Sequence, residues 1–265
     1  MKIAICIKQV PDTTDIKWTE HNTIQREGVE SILNPYDVYA IEAGLKIKQQ
    51  TDAEISVFTM GPNQAESILR KAISVGADNA YLISDRKFAA ADTYATGSTL
   101  AAAIKTVLPD FDIIICGQFA IDGDTAQTGP TLANMLDIPQ ITYVKDIESI
   151  NEDILTVTRE VEDGIEKLTA ELPVLLCVLK KDEDPTRAKI NGIINSKNAE
   201  IKTLTLDDIG LPPEKAGLKG SPTYVSKAFR PVQKHRNIPP TEASPESQVL
   251  FLYDKLQELG AFDNE

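Results

Sequence analysis

Histidine is nearly absent from this 265-residue sequence: only His21 and His235, both in polar stretches. A zinc site or a Ser-His-Asp triad fits poorly with so few. Cysteine is scarce too. Cys6, Cys116 and Cys177 each sit inside an apolar run, at no metal-ligand spacing, which suits buried, reduced thiols in a reducing cytoplasm. Basic residues are in short supply: 27 Lys and Arg against 40 Asp and Glu give a formal charge of −13. Such a balance argues against nucleic acid or an anionic membrane surface as partner. No apolar run approaches the roughly 20 residues of a membrane span, and MKIAICIKQVPD is interrupted too soon for a signal peptide. G-x-S-x-G, the P-loop pattern and G-x-G-x-x-G are all missing.

What is present is alternation. KIAICIK (2–8), AEISVFTM (53–60), NAYLIS (79–84) and DIIIC (112–116) are near-continuous apolar runs, the pattern of strands covered on both faces. Between them, helical spacing predicts helices over 36–49, 64–75 and 93–108, and a fourth starting near Ala126. Alternation of this kind predicts an α/β fold with a doubly wound, mostly parallel sheet. The later runs QITYVKDIESI, ILTVTREV and LPVLLCVLK read as antiparallel strands extending one edge. The connection before residue 36 is long, and DIKW and TIQR within it suggest a hairpin. Beyond about residue 200 the chain turns rich in Pro, Lys and Glu, and only SQVLFLYDKLQELGAF has helical spacing. The expected division is therefore an α/β domain over 1–200 and an arm over 201–265, packed either on another chain or on its own domain.

In an open α/β sheet, ligands bind outside the carboxyl ends of the strands, where strand order reverses. The segments at those ends are KQVPDT, NPYD, MGP, SDRKFAAADT and GQFAIDGDTAQTGP (117–130). Their Gly, Asn, Asp and Thr suit a nucleotide cradle, although turn chemistry enriches the same residues. In the last segment Gly123 is expected at positive φ, giving a nest of backbone N–H groups beside a helix N-terminus. Thr125, Gln127 and Thr128 would add neutral donors, while Asp122 and Asp124 face away from phosphate as ribose acceptors or turn caps. Asp92 is an expected helix N-cap.

Together, CIKQVPDT, NPYD, TMGP, LRKAISVGAD, GQFAIDGDTAQTGP and DPTRAKINGI resemble the β subunit of electron-transfer flavoproteins along almost the whole chain. The resemblance implies a heterodimer with an α subunit that carries FAD, and a β pocket holding either AMP or a second FAD. It places that pocket on Cys6, Asn34, Pro35, Tyr36, Asp37 and Met60, and on Gly117, Gln118, Ala120, Asp122, Gly123, Asp124, Thr125, Ala126, Gln127 and Thr128. It also implies a dehydrogenase-docking loop over roughly 182–199, with Ile190 as its apolar anchor. KQVPDT and AAADTYATGS resemble the electron-bifurcating branch of that family more than the respiratory one. FAD is then expected in β, with NAD(H) as transient donor or acceptor. Electrons would divide between a flavin dehydrogenase, of acyl-CoA or 2-hydroxyacid (lactate) type, and ferredoxin or flavodoxin. The alternatives are a respiratory-type subunit with structural AMP, and a free-standing nucleotide-binding sensor of the same superfamily.

Overall fold

In the structure, a computed structural model describing residues 1–12, 31–226 and 244–261, the chain divides into two compact units, Met1–Ala228 and Phe229–Glu265. The first opens with β1 (Lys2–Cys6), followed by a short antiparallel pair, β2 (Gln9–Pro11) and β3 (Ser31–Leu33). Then come α1 (Pro35–Gln50), β4 (Glu54–Met60), α2 (Glu66–Val75), β5 (Asn79–Ile83), α3 (Thr93–Val107), β6 (Ile113–Gly117) and α4 (Thr128–Leu136). The four expected strands and four expected helices are all present, with bounds shifted by a few residues. The suggested hairpin of DIKW and TIQR lies outside the described residues.

The second half supplies β7 (Gln140–Asn151), β8 (Ile154–Val161), β9 (Gly164–Glu171) and β10 (Val174–Val178). After them come α5 (Ile190–Asn198), β11 (Lys202–Leu204) and the short α6 (Gly217–Gly220). One sheet takes nine strands in the order β11-β5-β4-β1-β6-β10-β7-β8-β9. From β11 to β7 every pairing is parallel; β7, β8 and β9 pair antiparallel.

Two expectations need correcting. LPVLLCVLK does not extend an antiparallel edge: β10 runs parallel between β6 and β7, in the interior of the sheet. Its five residues are all buried, so its unbroken apolar run is the signature of a parallel strand covered on both faces. Nor does the body of the protein stop at 200. β11 adds a parallel strand beside β5, and Leu206, Ile209 and Ala216 are buried in the core.

Strand alternation divides the core into two layers. Ile3, Ile5, Ile55, Val57, Ile113 and Leu176 face α1 and α2; Ala4, Phe58, Ile114 and Leu175 face α3 and α4. The second layer also contains an in-register row of thiols across three adjacent strands, Cys6, Cys116 and Cys177, all free and buried. Burial pushes Cys177 up to about 12. A hydrogen bond with Cys6, together with burial, pushes Cys116 well up as well. These thiols are packing groups, as their apolar sequence contexts indicated.

The second unit contains one described helix, α7 (Pro245–Glu258), with Pro245 in its first turn and Ser244 accepting from the Ser247 N–H as N-cap. Val249, Leu252, Tyr253, Leu256 and Leu259 are exposed on or just past it. No helix of the described residues is long and apolar enough to cross a membrane.

The row of thiols makes a local prediction. At Gly129 a Cβ would collide with Cys177 Sγ, so Gly129→Ala should destabilise the protein by about 1–3 kcal/mol through overpacking. Pairing it with Cys177→Ala should recover part of that loss, measured by denaturant unfolding; strictly additive effects would show that the two do not touch.

Candidate functional site

The strand order reverses between β1 and β6: from β1 the chain proceeds outward through β4 and β5, then returns to β6 on the other side. A crevice outside the carboxyl ends of these two strands is the place such a sheet offers a ligand. Cys6 ends β1, Gly117 ends β6 and Met60 ends the neighbouring β4, so three of the expected residues meet at this edge.

Asn34, just before α1, ties the crevice together. It is fully buried. Its N–H donates to Lys8 O (2.9 Å), and its carbonyl accepts from the N–H groups of Asp37 and Val38 at the start of α1. Its side-chain Nδ2 donates to Phe119 O (2.9 Å), while Oδ1 accepts from Ile121 N (3.2 Å). Since that side chain is occupied across the crevice, it does not cap α1. Pro35 suits the first turn because its missing N–H would have no partner there.

Asp37 supports the same junction from below. Its Oδ2 accepts from the Lys8 N–H at 2.6 Å, with further hydrogen bonds from the Asn34 side chain and the Gly117 backbone. Burial dominates these bonds and pushes its carboxyl up to about 7. Gly117 has no room for a side chain: a Cβ there would collide with Asp37 Oδ1 and with Tyr36. Tyr36 in turn packs its ring on Phe119, centroids 4.1 Å apart.

The loop after β6 differs from expectation in one respect. Gly123 is not the left-handed residue; Asp124 (φ 50°) and Ala126 (φ 52°) are, and a Cβ at Gly123 would meet nothing within 4 Å. Asp and Asn tolerate the left-handed region better than most residues, so the aspartate adjoining the glycine takes the turn. The N–H groups of Gly123 and Asp124 close it onto Ala120 O at 3.2 and 2.8 Å. Asp122 is neutralised by Lys8, Nζ to Oδ1 2.7 Å. Gln118 faces away from the crevice. Its N–H donates to Val178 O, and its Oε1 accepts from the N–H of Tyr143, a β7 residue at positive φ.

α4 begins beside this loop with no side-chain cap: Gln127, its N-cap, makes no capping bond. Its first-turn N–H groups and dipole are therefore available to an anion. Thr93 Oγ1 meets Gln127 Oε1 at 3.3 Å, which brings the start of α3 alongside. α3 is differently placed, because Asp92 caps it through the Ala95 N–H and also takes the N–H and hydroxyl of Thr223. The cap expected at Asp92 is confirmed.

The uncapped N-terminus of α4, with the exposed loop before it, fits an anionic group such as a phosphate. Phe119 and Ile121 act through backbone groups, which no side-chain pattern reveals, and Lys8, which the end of the first strand brings to the same place, acts through its ion pair with Asp122. Ile190, the expected docking anchor, opens α5 and is 78% exposed.

Comparisons with known proteins agree on one family. The electron transfer flavoprotein domain matches residues 21–209. The electron transfer flavoprotein subunit beta of Thermoanaerobacterium thermosaccharolyticum is 47% identical over 233 residues, 87% of this chain and 88% of that protein. Subunit CarD of the caffeyl-CoA reductase-Etf complex of Acetobacterium woodii is 47% identical over 236 residues, 88% of this chain and 89% of its own. The acryloyl-CoA reductase electron transfer subunit gamma of Anaerotignum propionicum is 39% identical over 265 residues, covering 97% of this chain and 98% of its own.

The two glycines of the site should behave differently. Gly117→Ala should cost about 1–3 kcal/mol by forcing Asp37 or Tyr36 aside, while Gly123→Ala should change stability by less than about 0.5 kcal/mol. Equal losses in denaturant unfolding would contradict the described geometry. Asp37 should also be visible in pH dependence. A carboxyl raised to about 7 binds its proton more tightly folded than unfolded, so its stabilisation is complete below about pH 4 and lost as pH rises toward 7. Subtracting the Asp37→Asn curve from that of the wild type should leave a slope approaching about 1.4 kcal/mol per pH unit in that window. Parallel curves would show that Asp37 titrates as a solvated carboxyl.

Proposed function

Since the chain belongs to the electron transfer flavoprotein family as a β subunit, we propose that it binds FAD in the β1/β6 crevice and exchanges electrons with NAD(H) in the cytoplasm. It works as half of a heterodimer with an FAD-carrying α subunit, within an oxidoreductase complex, and divides electrons between a flavin dehydrogenase and ferredoxin or flavodoxin. The observation that carries the reading is the uncapped N-terminus of α4 facing the switch crevice, which calls for an anionic group. Two relatives similar along most of the chain are named as parts of acyl-CoA reductase complexes, which favours an acyl-CoA-type dehydrogenase over a 2-hydroxyacid type.

Thr125, Gln127 and Thr128 hold the phosphates with the α4 N–H groups, and Met60 and Cys6 form the crevice floor. When bound, a flavin supplies both two-electron chemistry with a nicotinamide and one-electron chemistry with carriers. The chain's own residues bind and orient it. Lys8 keeps Asp122 from repelling its phosphates, and Asn34 holds the loop at a fixed height above the strand ends. The docking segment 182–199 meets the dehydrogenase through Ile190, and the arm containing α7 packs its apolar residues on the α subunit.

The test is composition. The purified α/β pair should contain two FAD per heterodimer and no AMP. One FAD with one AMP would overturn the redox role of this subunit and make its nucleotide structural. A nucleotide-loaded monomer with no α partner would overturn the heterodimer.

A further inference from the structure

α5 has little of its own to fix its position. It is nine residues long, lacks a side-chain N-cap, and buries only Ser196. Isolated helices of that length are marginal in water. Yet Ile190, Ile193 and Ile194, at i, i+3 and i+4, form one apolar ridge along it, 78%, 44% and 52% exposed. Such a ridge binds efficiently only if it is rigid beforehand, because ordering it on contact subtracts from affinity.

The rigidity comes from neighbouring helices. On the side opposite the ridge, Gly192 lies so close to α2 that a Cβ would collide with Ser74 O. At the C-terminal end, Arg70 of α2 reaches Ser196 O at 2.5 Å and Lys197 O and Ala199 O at 3.3 Å. Two of these are last-turn carbonyls with no partner inside the helix. The guanidinium is itself fixed by Glu66, Nε to Oε1 2.8 Å. Ahead of the helix, Glu42 of α1 accepts from both the N–H and the hydroxyl of Thr186 at 2.8 Å. One turn earlier on α1, the Tyr39 hydroxyl donates to Glu183 O at 2.7 Å.

We propose that Arg70 and Glu42 are positioning residues that clamp the two ends of the docking segment and present the Ile190–Ile193–Ile194 ridge to an acyl-CoA-type flavoprotein. This rests on the docking role given above to residues 182–199. Arg70 suits the task through its planar fork, because Nη1 faces the carbonyls of α5 while Nε and Nη2 hold Glu66, a division that the single nitrogen of a lysine cannot reproduce. Glu42 adds a link to the crevice, because the helix that carries it begins at the nucleotide site with Pro35, Tyr36 and Asp37.

The experiment uses the intact α/β complex and purified caffeyl-CoA reductase as electron acceptor. Arg70→Ala should raise the KM for the reductase at least tenfold with little change in kcat, and should speed amide exchange in residues 193–199. Bound nucleotide and Tm should stay near wild type. Arg70→Lys should recover part of the KM, and Glu42→Gln should show a smaller rise, with faster exchange confined to residues 183–187. Faster exchange with an unchanged KM would overturn the clamp, as would a fall in kcat and nucleotide content together, the mark of a merely structural role. Ile190→Asp separates the two layers of the proposal. If it raises KM and Arg70→Ala does not, only the clamp falls. If it has no effect, or the wild type shows no saturable transfer, the docking role falls and the clamp with it.

Discussion

Asn34 governs the geometry of the crevice. Its buried backbone and side-chain groups together link the segment after β1, the first turn of α1 and the loop after β6. An unsatisfied buried donor or acceptor costs about 1–3 kcal/mol, so the three segments cannot drift apart cheaply. Asp37 adds a second connection between the same strands, and Gly117 exists as glycine because that connection leaves no room. A ligand would therefore meet a rigid floor and one open side, toward the exposed loop and α4.

The loop after β6 is less acidic than a count of its carboxylates suggests. Lys8 and Asp122 form a pair across the mouth of the crevice, one partner from each strand end. The pair is partly exposed, so its contribution to stability is small. Its electrostatic consequence matters more, because it removes one carboxylate from the field in front of α4. The N-terminus of α4 adds a fixed positive dipole that does not titrate.

Much of the architecture was legible because its signals are local. The unbroken apolar runs of β1, β4, β5 and β6 and the helical spacing of α1 to α4 specify their own conformation. β10 shows the limit: its run reads as a strand but not as an interior parallel one, because its neighbours are decided by distant residues. The site divides in the same way. Strand-end composition pointed to the crevice, and the run of motifs identified the family. Neither revealed that Asn34, Asp37 and Gln118 turn their polar atoms inward to brace the loop. Nor did they show that Asp124, rather than Gly123, takes the left-handed turn. Those outcomes depend on which backbone groups lack partners in the folded chain, which the order of residue types does not record.

The interior place of β10 bears on how the molecule comes into being. β6 finds its second neighbour in a strand that begins some sixty residues later, after three further strands have been laid down. Until Val174–Val178 emerges from the ribosome, Ile113–Gly117 is an apolar edge with unpaired backbone groups, the kind of edge that invites another chain. Such non-local pairing is slow to form. The half of the chain that builds most of the crevice is thus made early and secured late, and a nascent chain halted at the hairpin would be a protein with its sheet still open down the middle.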